Sequence, residues 1–223
     1  MSDGQLQVAI GLYPKYTALD WVGPYEVFEK MPGVDVVLCA AEPGLVGDDP
    51  GLVRVDVDRT FADVPRPDVL LVPGGLGTRR FATPDSAIVQ WIREAHEHTR
   101  YTTSVCTGAL LLGAAGLLDG LEATTHWNFY DHLARYGAKP VEQRVVFQDR
   151  IVTGAGVSAG IDLALALLGA MFGPDMAKTI QLAIEYDPQP PYDAGAPSKA
   201  PVELRDLVAA AMDDAEAKAL ADG

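Results

Sequence analysis

RYTTSVCTGALLLGAAGLL, residues 100–118, decides the fold. RYTTSV (100–105) is β-branched and reads as a strand. TGALLLGAAGLL (107–118) is apolar on every side, as a buried helix must be. Between them, where strand gives way to helix, stands Cys106, one of two cysteines in 223 residues. The same alternation extends in both directions. LQVAIGL (6–12), VDVVLCAA (34–41) and PDVLLVPGG (67–75) read as buried strands, and GLVRVDVDRTFADV (51–64) as a half-exposed one. LDWVGPYEVFEK (19–30) carries apolar residues at helical spacing. Its Gly23-Pro24 pair sets the expected start of the regular helix near Pro24. PDSAIVQWIREAHEH (84–98) is a second helix. LEATTHW (121–127) reads as a short strand, NFYDHLARYG (128–137) as a helix and RVVFQDRIVTG (144–154) as a hairpin turning near Gln148-Asp149. Helices follow over 157–173 and 174–186, then a proline-rich extended stretch to 201 and a helix over Val202–Ala219. Buried strands alternating with helices imply an α/β protein, with a mostly parallel sheet covered on both faces. The expected organisation is one domain over 1–200, with 201–223 as its helical extension.

Composition narrows the function. Asp and Glu number 31 against 17 Lys and Arg, a formal charge of −14, which opposes a nucleic-acid-binding role. The longest apolar run, 109–118, is far short of the ~20 residues a membrane span needs. MSDGQLQVAIGLY has no signal-peptide pattern, and the two cysteines have no metal-ligand spacing. These observations set an expectation of a cytoplasmic protein that binds neither nucleic acid nor membrane, with no metal.

In a parallel sheet, sites form beyond the carboxyl ends of the strands. That rule singles out Tyr13–Asp20, Pro73–Thr78, Cys106–Gly108 and Gly154–Ser158. Ser104-Val105-Cys106-Thr107-Gly108 resembles a nucleophile elbow, with small residues on both sides of the turn. A helix beginning just after Cys106 favours its thiolate. Cys39, inside VVLCAA, reads as packing. Charge developing at the site would be met by the Thr107 N–H and by the Gly74-Gly75 turn. Thr107, not a histidine, directly follows Cys106. His126 is the one histidine at a strand end, whereas His96, His98 and His132 lie on helix faces. Asp20 is either a helix cap or a carboxyl whose proton is held by a neighbouring thiolate, able to pass it to substrate.

LDWVGPYEVF (19–28), VPGGLGTR (72–79), TTSVCTGALLLGAAGLLDG (102–120), ATTHWNF (123–129), VTGAGVSAGIDLAL (152–165) and QLAIEYDPQPPYDAGAP (181–197) together resemble the ThiJ/PfpI superfamily, and within it the isocyanide-hydrating branch. The resemblance implies a flavodoxin-like fold, of the class I glutamine amidotransferase type, and a homodimer. It also implies addition of water to an isocyanide substrate, giving an N-substituted formamide without cofactor. On this resemblance Cys106 is the nucleophile that forms a thioimidate, Asp20 is its acidic partner, and Thr107 and Gly75 line the site beside Gly74. Protease-like members carry His after the cysteine and many glyoxalase-like members carry Glu early in the chain. Here those positions hold Thr107 and Asp20. Trp127, Ile161 and Tyr186 are the expected apolar wall, with His126 nearby. Two alternatives remain open: a redox protein with an oxidisable Cys106, and the ligand-sensing domain of AraC-like regulators. Val202–Gly223 is acidic and short for a DNA-binding region.

Overall fold

The computed structural model describes residues 5–221. Residues 1–4, part of the signal-peptide reading, and 222–223, the end of the helical extension, lie outside the described residues. In chain order the elements are β1 (Leu6–Gly11), α1 (Ala18–Phe28), β2 (Val34–Cys39), β3 (Gly44–Gly47), β4 (Arg54–Val57), a 3-10 turn (Phe61–Asp63), β5 (Val69–Val72), α2 (Thr78–Phe81) and α3 (Ala87–His96). Then come β6 (Tyr101–Val105), α4 (Gly108–Ala114), β7 (Glu122–Ala123), a second 3-10 turn (Trp127–Phe129), α5 (Tyr130–Ala134), β8 (Lys139–Pro140), β9 (Val145–Gln148), β10 (Ile151–Gly154), α6 (Ala159–Phe172), α7 (Pro174–Ala183) and α8 (Val202–Ala221).

Six strands form the central sheet in the order β2-β1-β5-β6-β10-β9. Every pair is parallel except β9 with β10, the hairpin expected over 144–154. Alternate residues of each strand face opposite layers. Val8, Ile10, Val69 and Leu71 join the core under α1 and α6. Ala9, Leu70 and Val72 join the core under α3 and α4. The fold is the flavodoxin-like α/β sandwich, with β6 near its centre carrying Cys106 at its carboxyl end.

Several elements depart from the sequence reading: α2 and β8 have no counterpart in it, the strand expected over 121–127 shrinks to Glu122–Ala123, and α1 and β3 differ as follows. α1 starts at Ala18, six positions before Pro24, and holds that proline inside the helix. Proline there cannot donate to the carbonyl of Asp20, a loss that costs about 3 kcal/mol in an unsupported helix. Close packing compensates: a Cβ at Gly160 of α6 would lie 3.0 Å from the Pro24 ring and 3.3 Å from the Asp20 oxygen. The early start places Asp20 in the first turn of α1, aimed inward and fully buried. β3, for its part, pairs antiparallel with β4 as a separate hairpin.

α8 lies on the same edge of the sheet as Cys106. Arg79 reaches the buried Glu216 at 2.7 Å, and Asn128 donates to Asp213 at 2.9 Å. Among the described residues, no helix is long and apolar enough to cross a membrane.

Candidate active site

Cys106 adopts a left-handed backbone, φ 56°, between the last residue of β6 and the first turn of α4. A non-glycine residue holds that conformation only when its surroundings fix it, at a cost of roughly 1–2 kcal/mol. Its N–H donates to the carbonyls of Gly154 and Ala155, each at 3.1 Å, and its carbonyl accepts the Thr125 hydroxyl at 2.8 Å. Glycines let the neighbouring strand end close over the elbow. A Cβ at Gly108 would sit 2.4 Å from the Val72 carbonyl, and one at Gly74 would sit 2.5 Å from the Thr107 nitrogen.

Asp20 meets Cys106 from α1. Its Oδ2 accepts the Gly74 N–H at 2.8 Å. Its Oδ1 is buried without a hydrogen bond of full geometry. Burial pushes the Asp20 carboxyl up to about 8, against the opposing pull of the Gly74 amide and the Cys106 thiol. Burial, and then the charge of Asp20, push the Cys106 thiol well above its ordinary range. The amides of Val157 and Thr107 pull the other way without prevailing. The expected resting thiolate is therefore corrected: the helix start alone does not offset desolvation of a cysteine that is 4% exposed. Asp20 and Cys106 form a protonated pair at neutral pH.

The Gly74-Gly75 turn also differs from expectation. Its amides are not free for substrate. Gly74 serves Asp20, and the Gly75 N–H donates to the Thr107 hydroxyl at 2.9 Å. Thr107 Oγ1 is further held by Thr78 Oγ1 at 2.8 Å, itself 2.8 Å from the Tyr13 hydroxyl. The Thr107 side chain is thus a pin, while its amide faces the sulfur. Gly75 has φ 148°, and a Cβ there would lie 2.3 Å from the Lys15 carbonyl.

Beside the elbow opens a cavity of about 460 Å³, walled by His126, Trp127, Tyr130, Arg144 and Val157, with residues 195–198 along its rim. Cys106 is not itself on the cavity wall. Val157, whose amide faces the thiol, and Thr125, bonded to the Cys106 carbonyl, connect the two. His126 and Trp127, both expected near the substrate, line this cavity. Ile161 and Tyr186, expected beside them, border instead a groove with Leu19, Val22 and Gly23. The Tyr186 hydroxyl donates to Asp162. His126 Nδ1 accepts the Asn128 N–H at 3.3 Å, which leaves its proton on Nε2. Burial lowers its pKa to about 4, so it is a neutral hydrogen-bond donor at pH 7. Cys39 packs in the core, its pKa pushed up to about 12 by burial.

Sequence reasoning named the Gly154–Ser158 edge but not Val157 as a thiol partner. Its contribution is a backbone amide, so no residue type signals it. A turn at a strand end was the sole available hint.

An α/β sandwich with a left-handed cysteine elbow after its central strand defines a class of cysteine-centred α/β proteins. The chain belongs to the DJ-1/PfpI family, whose profile matches residues 6–170. It is 44% identical over 201 residues to the isonitrile hydratase of Pseudomonas putida, covering 90% of this chain and 87% of that one. The crystal structure of a ThiJ/PfpI family protein from Pseudomonas syringae superimposes with a TM-score of 0.90 at 37% identity, covering 97% and 89% of the two chains. The HTH-type transcriptional regulator CdhR of Pseudomonas aeruginosa is 35% identical over 127 residues, 56% of this chain and 37% of the regulator.

Proposed function

We propose that this protein hydrates isocyanides to N-substituted formamides without a cofactor, with Cys106 as nucleophile and Asp20 as proton carrier. The observation that carries the reading is the Asp20 carboxyl: held protonated by burial, fixed through one oxygen by Gly74, with the other oxygen free beside the thiol. The likeness to the Pseudomonas putida isonitrile hydratase supports the substrate class.

An isocyanide carbon is electrophilic and also carries a lone pair. Asp20 protonates that carbon as the sulfur attacks it. The S–H proton passes to the carboxylate left behind, and the product is the thioimidate R–N=CH–S–Cys106. Asp20 then gives its proton to nitrogen, and the carboxylate so formed draws a proton from water, whose oxygen attacks the same carbon. The C–S bond breaks, the sulfur recovers its proton from the new hydroxyl, and R–NH–CHO leaves. Atoms and charge balance, and each proton moves through Asp20 or between adjoining atoms. The Val157 and Thr107 amides stabilise negative charge on sulfur. The cavity walled by His126, Trp127 and Tyr130 suits an apolar or aromatic R group. A homodimer belongs to the same reading.

The test is loss of phenyl isocyanide with appearance of formanilide, followed by chromatography. Wild type turns over and Cys106→Ala does not. No loss of isocyanide over hours at high protein concentration overturns the reading.

A further inference from the structure

The turn between β10 and α6 carries the Val157 amide that faces the thiol, and it is strained. Val157 has φ 30°, a left-handed conformation that β-branched residues rarely adopt. On its inner side this turn is tied to the elbow, since the Gly154 and Ala155 carbonyls accept the Cys106 N–H. On its outer side Arg144, just ahead of β9, grips it three times. The Arg144 carbonyl accepts the Ala155 N–H at 2.9 Å. Its Nη2 donates to Ser158 Oγ at 3.1 Å, and its Nε to Asp162 Oδ2 at 2.5 Å. Asp162 is fixed in turn by the Tyr186 hydroxyl, 3.2 and 3.1 Å from its two oxygens. These contacts bracket Val157 from both sides in sequence. The pair is partly exposed, at 49% for Arg144 and 30% for Asp162, so it adds little to global stability. Its geometry instead controls a local backbone that is costly to hold.

We propose that Arg144 is a positioning residue for Cys106: braced by Asp162, it holds the 154–158 turn so that the Val157 amide stays on the sulfur. This rests on the reading of Cys106 as the reactive group. Asp20 and Tyr13 are the titratable side chains that interact electrostatically with this sulfur, and both stay unchanged in every variant below.

The experiment is the pH dependence of Cys106 alkylation by iodoacetamide, read by intact mass and peptide mapping on the full chain. In Arg144→Met the alkylation midpoint moves up by about one unit, so that thiolate at a fixed lower pH falls about tenfold. Asp162→Asn moves it in the same direction, and the double variant goes no further than either single one. Charge alone makes the opposite claim for Asp162, because removing an anion favours thiolate. Opposite shifts in the two single variants, or simple addition in the double one, therefore overturn the proposal. Wild-type midpoints in folded variants also overturn it, even if their melting temperatures fall. Ser158→Ala removes one bond of the brace and gives a smaller upward shift. It decides the matter if Arg144→Met fails to fold. With phenyl isocyanide, kcat falls while KM changes little. If wild type does not hydrate isocyanides, the proposed function fails, and the alkylation midpoints still judge the brace.

Discussion

Asp20→Asn should make the protein more stable and much less active. The wild-type carboxyl titrates near 8 in the folded chain, against 3.8 for an exposed Asp. Below about pH 4 both folded and unfolded chains carry a protonated Asp20, and the group costs nothing. As pH rises past that point the unfolded chain ionises while the folded chain does not. Stability therefore falls with pH, by about 1.4 kcal/mol per unit, until the folded group titrates near pH 8. The gap of about four units corresponds to a loss on the order of 6 kcal/mol above pH 8, and to about 4 kcal/mol at pH 7. Asparagine keeps an oxygen for the Gly74 N–H and has nothing to ionise. The stability difference between Asp20→Asn and wild type should grow by about 3 kcal/mol from pH 5 to pH 7. With m near 2–3 kcal/mol/M, that is about 1 M in urea midpoint. Turnover should fall by roughly 10²–10⁴ through loss of the proton carrier. Urea unfolding of both proteins at pH 5, 6 and 7 stays below the range in which cysteine titrates in the unfolded chain. A difference that does not change with pH would mean that Asp20 is ionised in the native protein. The proton-donor role would then have no basis.

Gly75→Ala should lose at least 2–3 kcal/mol, since both its φ of 148° and a 2.3 Å approach to the Lys15 carbonyl oppose a side chain. A loss below 1 kcal/mol in urea unfolding would contradict the packing of that turn. His126 should remain neutral down to about pH 4, so the pH profile of turnover should carry no inflection from an imidazole near 6.5. An NMR titration placing His126 between 6 and 7 would refute its burial as the controlling influence.

The strands were legible where both faces are buried, because VAIG (8–11) and VLLV (69–72) are then unbroken apolar runs. β3, the stretch GLVG, was not, because four residues bounded by glycine show no periodicity. The start of α1 was misread for a different reason. Proline's local preference is a rule of isolated helices, and the bare backbone of Gly160 that receives Pro24 lies more than a hundred positions away. At the site, small residues around Cys106 and the change from strand to helix were enough to locate the elbow. Its charge state was not legible. Dipole and amides favour thiolate, burial and Asp20 oppose it, and only three-dimensional packing says which is larger. Tyr186 and Ile161 failed as cavity residues because the side of the chain on which they emerge is set by how α6 and α7 pack, not by their apolar character.

The glycine turn at 73–75 suggests why two shifted groups work better than one activated thiolate. Its amides are spent on Asp20 and Thr107, fixing one carboxyl oxygen and one hydroxyl, so the free Asp20 oxygen faces the thiol without freedom to turn away. Burial raises the pKa of both groups and the charge of Asp20 raises that of the thiol further, so the pair resists ionisation and holds its protons at neutral pH. On the proposed mechanism, proton loss from Asp20 to the isocyanide carbon leaves a carboxylate beside a thiol that is already bonding to that carbon. The carboxylate then takes the sulfur's proton because the sulfur is losing its hold on it. Attack and protonation become one coupled event, triggered by a substrate whose carbon can accept both a proton and a sulfur. A ready thiolate would instead react with peroxide and alkylating agents throughout the resting life of the protein. The protonated pair predicts slow alkylation of wild-type Cys106 at pH 7 alongside fast isocyanide turnover at the same pH. Rapid alkylation at neutral pH would show that the thiol ionises independently of substrate, and the coupled mechanism would have to be abandoned.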